Sequence, residues 1–193
     1  DERKIEKALI TSKTLRSIWI TSPRRSGKTT MLYRILDSYS HKVGRDIIVI
    51  YFTLDEKIKS TTDFNKWLWK RLRTIFANKE LRSLYNNFND IGKDLDYETD
   101  VGTFMSSLAE FLIERIENVG IVNRVIFLFD EVDKFASMYF DSEENKETVN
   151  TILWQMREMI SNRRNVGVVF AGSTAAKEIF ITNPASPFYN SIE

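Results

Sequence analysis

The 193-residue sequence has no cysteine, a single histidine (His41), three prolines and seven glycines. Without cysteine there can be no disulfide, thiolate metal site or cysteine nucleophile, and the chain fits a reducing, intracellular setting. One histidine rules out a multi-histidine metal site. A formal net charge of +1 lacks the strongly basic footprint of a dedicated nucleic-acid binder. No apolar run approaches the roughly 20 residues that span a bilayer. The charged start, Asp1-Glu2-Arg3-Lys4, is no signal peptide. A cytoplasmic protein is expected. The missing initiator Met predicts a chain cut from something longer, or processed.

What is present is an ordinary globular balance, 42% hydrophobic and 28% charged. The length suits one domain with a real core. No repeat, low-complexity tract or linker interrupts it. Short β-rich runs alternate with longer helical patterns. Residues 3–15 read as a charged helix, and Ser17–Thr21 as a short strand. A helix from Thr29 places Leu32, Ile35, Leu36 and Tyr39 on one face. Asp46–Leu54, "DIIVIYFTL", is a continuous β-branched and aromatic run, as a parallel strand buried on both faces requires. Thr61, Thr62 or Asp63 is the expected cap of the next helix, whose inner face is Phe64, Trp67, Leu68, Leu72 and Ile75. Trp69 flanks that face, and burial in the same core is expected. Residues 78–100 are polar and weakly periodic, a helical or irregular excursion. Helices are expected over 102–117, 145–161 and near 174–181, with strands at Arg124–Asp130 and Val166–Gly172. Alternation of this kind predicts a parallel sheet with right-handed crossovers and helices on both faces.

Two stretches carry chemistry. Ser22-Pro23-Arg24-Arg25-Ser26-Gly27-Lys28-Thr29 follows a strand and opens a helix, the context of a phosphate-binding loop. Backbone amides of such a loop wrap a phosphate, aided by the positive end of the helix. Gly27 lets the backbone come close, Lys28 reaches the β- and γ-phosphates, and the Thr29 hydroxyl can ligate Mg²⁺. Ser22, Pro23, Arg24, Arg25, Ser26, Gly27, Lys28, Thr29 and Thr30 are the expected nucleotide contacts. Ser22 stands where such loops normally begin with glycine; it keeps its amide and is expected to be tolerated. In "VIFLFDEVD", Asp130 and Glu131 end a buried strand at the edge where ligands of parallel sheets sit. Asp130 is expected to hold Mg²⁺ through its hydration shell, and Glu131 to polarise the attacking water. Ser173 and Thr174, after the fourth strand, are expected either to position that water and sense the γ-phosphate, or to cap a helix. Arg163 and Arg164 precede the fourth strand and are read as a surface turn, with a trans-acting arginine finger as the alternative.

"SPRRSGKTTML", "VIFLFDEVD" and "VVFAGSTA" together resemble the P-loop ATPases of the AAA+/STAND group, especially the archaeal-type ATPases and their bacterial relatives. The opening "DERKIEKAL" and the ending "NPASPFYNSIE" look similar to the same family. The resemblance implies a P-loop three-layer sandwich with sheet order 5-1-4-3-2. It implies that residues 191–193 only begin the fifth strand, and that the helical lid and winged-helix region lie outside this chain. Where the family often has Gly-Arg after the Tyr, this chain has Asn190-Ser191, which leaves an arginine role there unsupported. The implied function is ATP binding and Mg²⁺-dependent hydrolysis by a nucleotide-gated switch or motor within a larger protein, slow in the isolated domain. Other domains of the same protein, or further copies of the chain, are the expected partners. Adenine is favoured because no Asn-Lys-x-Asp base-reading motif occurs. The alternatives are one RecA-like half of a nucleic-acid helicase, given the DExD-like "DEVD", and a non-hydrolysing adaptor.

Overall fold

The computed structural model describes residues 17–21, 27–39, 47–54, 58–76, 95–116 and 124–189. Four strands form one parallel sheet: β1 (Ile18–Thr21), β2 (Ile47–Thr53), β3 (Arg124–Asp130) and β4 (Val166–Gly172), in the order β1-β4-β3-β2. This is the expected order for these four. The expected opening helix, residues 78–94 of the 78–100 excursion and the start of a fifth strand fall outside the described residues. So does His41.

The described helices are α1 (Lys28–Tyr39), α2 (Thr61–Phe76), α3 (Val101–Ile116), α4 (Asp133–Asp141), α5 (Glu143–Asn162) and the short α6 (Thr174–Lys177). A π-turn over Glu178–Thr182 continues α6. Period-two alternation along each strand builds two different cores. One face carries Val125, Phe127 and Phe129 of β3, with Phe52 and Phe170, under α2 to α5. The other carries Ile126 and Leu128, with Val49 and Val169, under α1. The first face is strongly aromatic. Trp19, Phe170, Phe129 and Phe52 are register partners across all four strands. Neighbouring ring centroids in this row lie 5.3–5.8 Å apart. Each such cross-strand pair contributes roughly 0.2–1 kcal/mol. The row lies one residue below the tips of β2 and β3, so the site at that edge stands on rigid packing.

Two expectations need correction. The cap of α2 is Ser60, whose hydroxyl accepts the Asp63 amide at 3.1 Å, rather than Thr61, Thr62 or Asp63. A nine-residue helix, α4, also precedes the long one. Ser142 separates the two, with an extended backbone and a hydroxyl that accepts the Asn145 amide. That cap starts α5 two residues before the expected Asn145. Trp69 is buried with Trp67 and Leu72, as expected.

The start of α3 is fastened to α5. The Val101 amide donates to the Gln155 side chain at 2.9 Å, and a Cβ on Gly102 would stand 2.5 Å from the Gln155 carbonyl oxygen. Because that obstacle is backbone, Gly102→Ala must push two helices apart. We expect a net loss of about 1–2 kcal/mol, the overpacking cost exceeding the roughly 1 kcal/mol that alanine adds in helix propensity. Urea denaturation would measure it, and unchanged stability would show that the helix pair yields freely.

Candidate nucleotide site

The site lies where the C-terminal ends of the strands meet the start of α1. Gly27 has φ +87°, in the region that favours glycine. A Cβ there would meet nothing within 4 Å, so glycine is needed for its backbone and not for lack of room. The Gly27 carbonyl accepts the first bond of α1, from the Met31 amide at 2.9 Å. The amides of Lys28, Thr29 and Thr30 therefore sit at the open N-terminal turn of a 12-residue helix, which favours anions. The first turn holds no acidic residue to compete. Ser22, Pro23, Arg24, Arg25 and Ser26 lie outside the described residues.

Strand alternation explains the rest. Ile126 and Leu128 face α1, so Asp130, two residues on, shares their face and points the same way. The Thr29 hydroxyl donates to Asp130 Oδ2 at 2.7 Å, across 101 residues of sequence. The Tyr51 hydroxyl, from β2, donates to the same oxygen at 2.9 Å. Asp130 Oδ1 accepts the Glu131 amide at 2.9 Å. Asp130 is only 2% exposed, and these donors are all uncharged. Buried carboxylates are normally paired or coordinate a metal. A threonine hydroxyl beside a carboxylate is the hard oxygen set that suits Mg²⁺, which takes one or two carboxylates plus phosphates and water. No group of three or more His, Cys, Asp or Glu forms a metal cage among the described residues.

Glu131 is exposed and has φ +59°, the one positive φ outside glycine among the described residues. Strain of this kind costs roughly 1–3 kcal/mol and collects at functional sites. Its neighbours hold it there. The Leu54 amide donates to the Asp130 carbonyl, and the Val132 amide to the Ala171 carbonyl, each at 3.1 Å. Asp133 then accepts the Ser173 amide on both carboxylate oxygens, at 3.0 and 3.2 Å. Ser173 caps α6 by accepting the Ala176 amide at 3.3 Å. Thr174 is exposed beside it. Arg163 and Arg164 sit at the opposite edge of the sheet, where Arg163 pairs with Glu110 at 2.5 Å.

The sequence reading missed Tyr51 and Asp133. Tyr51 is half-buried, and the Tyr33 ring lies 4.9 Å from its own. Burial holds the Tyr51 phenol well above its ordinary range; the bond to Asp130 raises it further, against a lowering bond with Thr53.

Comparison with known proteins completes the picture. The profile of the AAA family, ATPases associated with various cellular activities, matches residues 18–180. The chain belongs to this family. The AAA family is one of nucleotide-binding and nucleotide-hydrolysing ATPases in general. Among solved structures, a Walker-type ATPase of Pyrococcus abyssi aligns with a TM-score of 0.58 and 18% identity, over 99% of this chain and 50% of that one. At that identity the likeness concerns the fold, a P-loop sandwich, and this AAA chain spans about half the length of that structure. No curated protein matches the chain. No helix among the described residues is long and apolar enough to cross a membrane.

Proposed function

We propose that this AAA domain binds Mg·ATP at the α1–β3 edge and hydrolyses it, serving as a STAND-type nucleotide-gated switch or motor within a larger protein. The observation that carries the reading is the Thr29–Asp130 hydrogen bond of 2.7 Å. It joins the end of the phosphate loop to the acidic strand tip, the pairing that a metal-bound triphosphate needs.

The roles follow from position. The amides of the first turn of α1 bind phosphate oxygens, and the Lys28 ammonium balances their charge. Thr29 and Asp130 would hold Mg²⁺. When bound, the ion neutralises charge shared by the β- and γ-phosphates. Glu131, exposed at the tip of β3, orients a water and accepts its proton as that water bonds to the γ-phosphorus and the bond to ADP breaks, releasing phosphate. Ser173 couples β4 to the site, since a hydroxyl that accepts one bond still has a proton to donate. Thr174 stands next to it as a second hydroxyl.

A thermal shift tests the reading. Ligand at 100 times its Kd stabilises by about 2.7 kcal/mol, which for a chain of this size raises Tm by about 5–10 °C. ATP with Mg²⁺ should give such a shift, and GTP a smaller one. No shift with millimolar ATP or ADP would sink the proposal.

A further inference from the structure

Resting on the Mg·ATP reading, we infer that Tyr51 is a positioning residue for the metal site: its hydroxyl fixes the Asp130 carboxylate in the orientation that the metal requires. The carboxylate plane of an aspartate turns about a soft torsion, so something must hold it. In this structure each oxygen has its own anchor. The Glu131 amide holds Oδ1 at 2.9 Å, and the Tyr51 hydroxyl holds Oδ2 at 2.9 Å. Thr29 also donates to Oδ2, at 2.7 Å. Thr29, however, is the residue whose oxygen must turn to the ion. Tyr51 has no such second duty. It fixes Oδ2 from a different strand, whatever Thr29 does.

The position of Tyr51 is over-determined. It lies on the α1 face of β2, against the cluster that holds Leu32 and Leu128. Its strand is paired in register with β3, Tyr51 opposite Leu128 and Thr53 opposite Asp130. Its ring packs with that of Tyr33, on the exposed side of α1, at 4.9 Å and 33°. With its backbone fixed by the strand register and its ring held by Tyr33 and the α1-side cluster, Tyr51 delivers its hydroxyl to one place. Changing a group that orients a metal-bearing ligand typically costs about 10–100-fold in metal affinity or activity.

Tyr51→Phe removes the hydroxyl and leaves the ring. The measurement is the affinity of a fluorescent ATP analogue in MgCl₂ and in EDTA, with a melting curve for each protein. The tightening that Mg²⁺ produces should fall about tenfold in Tyr51→Phe, the low end of such effects. Affinity in EDTA and the melting temperature should stay near wild type. An unchanged Mg²⁺ dependence overturns the inference. So does an equal loss with and without Mg²⁺, which would mark Tyr51 as structural only. If wild-type protein binds no nucleotide in either buffer, the Mg·ATP reading has failed and this role falls with it. Should Tyr51→Phe not fold, Tyr33→Ser serves instead, since Tyr33 is 47% exposed and supports the same ring. It should weaken the Mg²⁺ dependence several-fold, and an unaltered dependence overturns the inference equally.

Discussion

Replacing Lys28 with alanine is expected to abolish ATP binding at any practical nucleotide concentration. Lys28 is the first residue of α1, directly after Gly27 at φ +87°. A triphosphate brought there places several negative charges against one ammonium and the helix amides. Truncating one partner of a desolvated charge pair costs about 2–5 kcal/mol, so a loss of about 30- to 4,000-fold in affinity is expected. Arginine at the same position keeps the charge but presents a planar fork on a longer arm, and should recover only part of the loss. Isothermal titration of ATP against both variants and wild type decides it. Affinity of Lys28→Ala within about threefold of wild type, a difference well under 1.4 kcal/mol, would remove the phosphate-loop reading altogether.

That expectation rests on elements the sequence shows plainly. β3 and β4 are continuous apolar runs, and their observed limits, Arg124–Asp130 and Val166–Gly172, coincide with the runs themselves. A strand buried on both faces has no polar residue to blur its ends. Asp130 marks the end of β3 because it is the first charge after five apolar side chains, Val125 to Phe129. α4 was missed although its stripe is present: Val132, Phe135, Ala136 and Tyr139 recur at i, i+3, i+4 and i+7, but over only nine helical residues and beside Phe140, which is 74% exposed. The boundary with α5 depends on the Ser142 hydroxyl, a single polar atom.

The site was legible in part. Thr29, Asp130 and Glu131 stand in motifs whose spacing is local. Tyr51 stands in "DIIVIYFTL", where a tyrosine reads as one more strand-forming ring. Its meaning comes from partners in α1 and β3, which only tertiary pairing supplies. Asp133 is similar: it reaches Ser173, 40 residues away. Of the two roles expected for Ser173, capping is the one its hydroxyl performs at the start of α6.

Those long-range bonds also bear on how the site responds to ligand. Asp130, Glu131, Val132 and Asp133 form one turn tied to α1, to β2 and to β4 through separate hydrogen bonds. Below it lies the aromatic row from Trp19 to Phe52. A close-packed base of that kind transmits displacement instead of absorbing it. Thr29 and the start of α6 are therefore linked through a chain of bonded neighbours.

Glu131 is where this restraint yields the second large effect. Glu131→Gln should bind Mg·ATP as wild type does and lose turnover by about 10²–10⁴-fold, the usual contribution of a general base. Binding should survive because the bond to Asp130 comes from the backbone amide, which glutamine keeps. The φ of +59° supplies a control that separates catalysis from structure. Asparagine enters the left-handed region more readily than glutamate. Glu131→Asn should therefore be at least as stable as wild type in a melting experiment, and as inactive as Glu131→Gln. A strained glutamate with no chemical task would behave differently: both variants would keep their turnover while Asn alone raised stability. Single-turnover hydrolysis of radiolabelled ATP by the full-length protein, set beside the melting curves, distinguishes the two. Full activity in Glu131→Gln would leave the acidic tip as a metal-holding element only, with the attacking water oriented by another group.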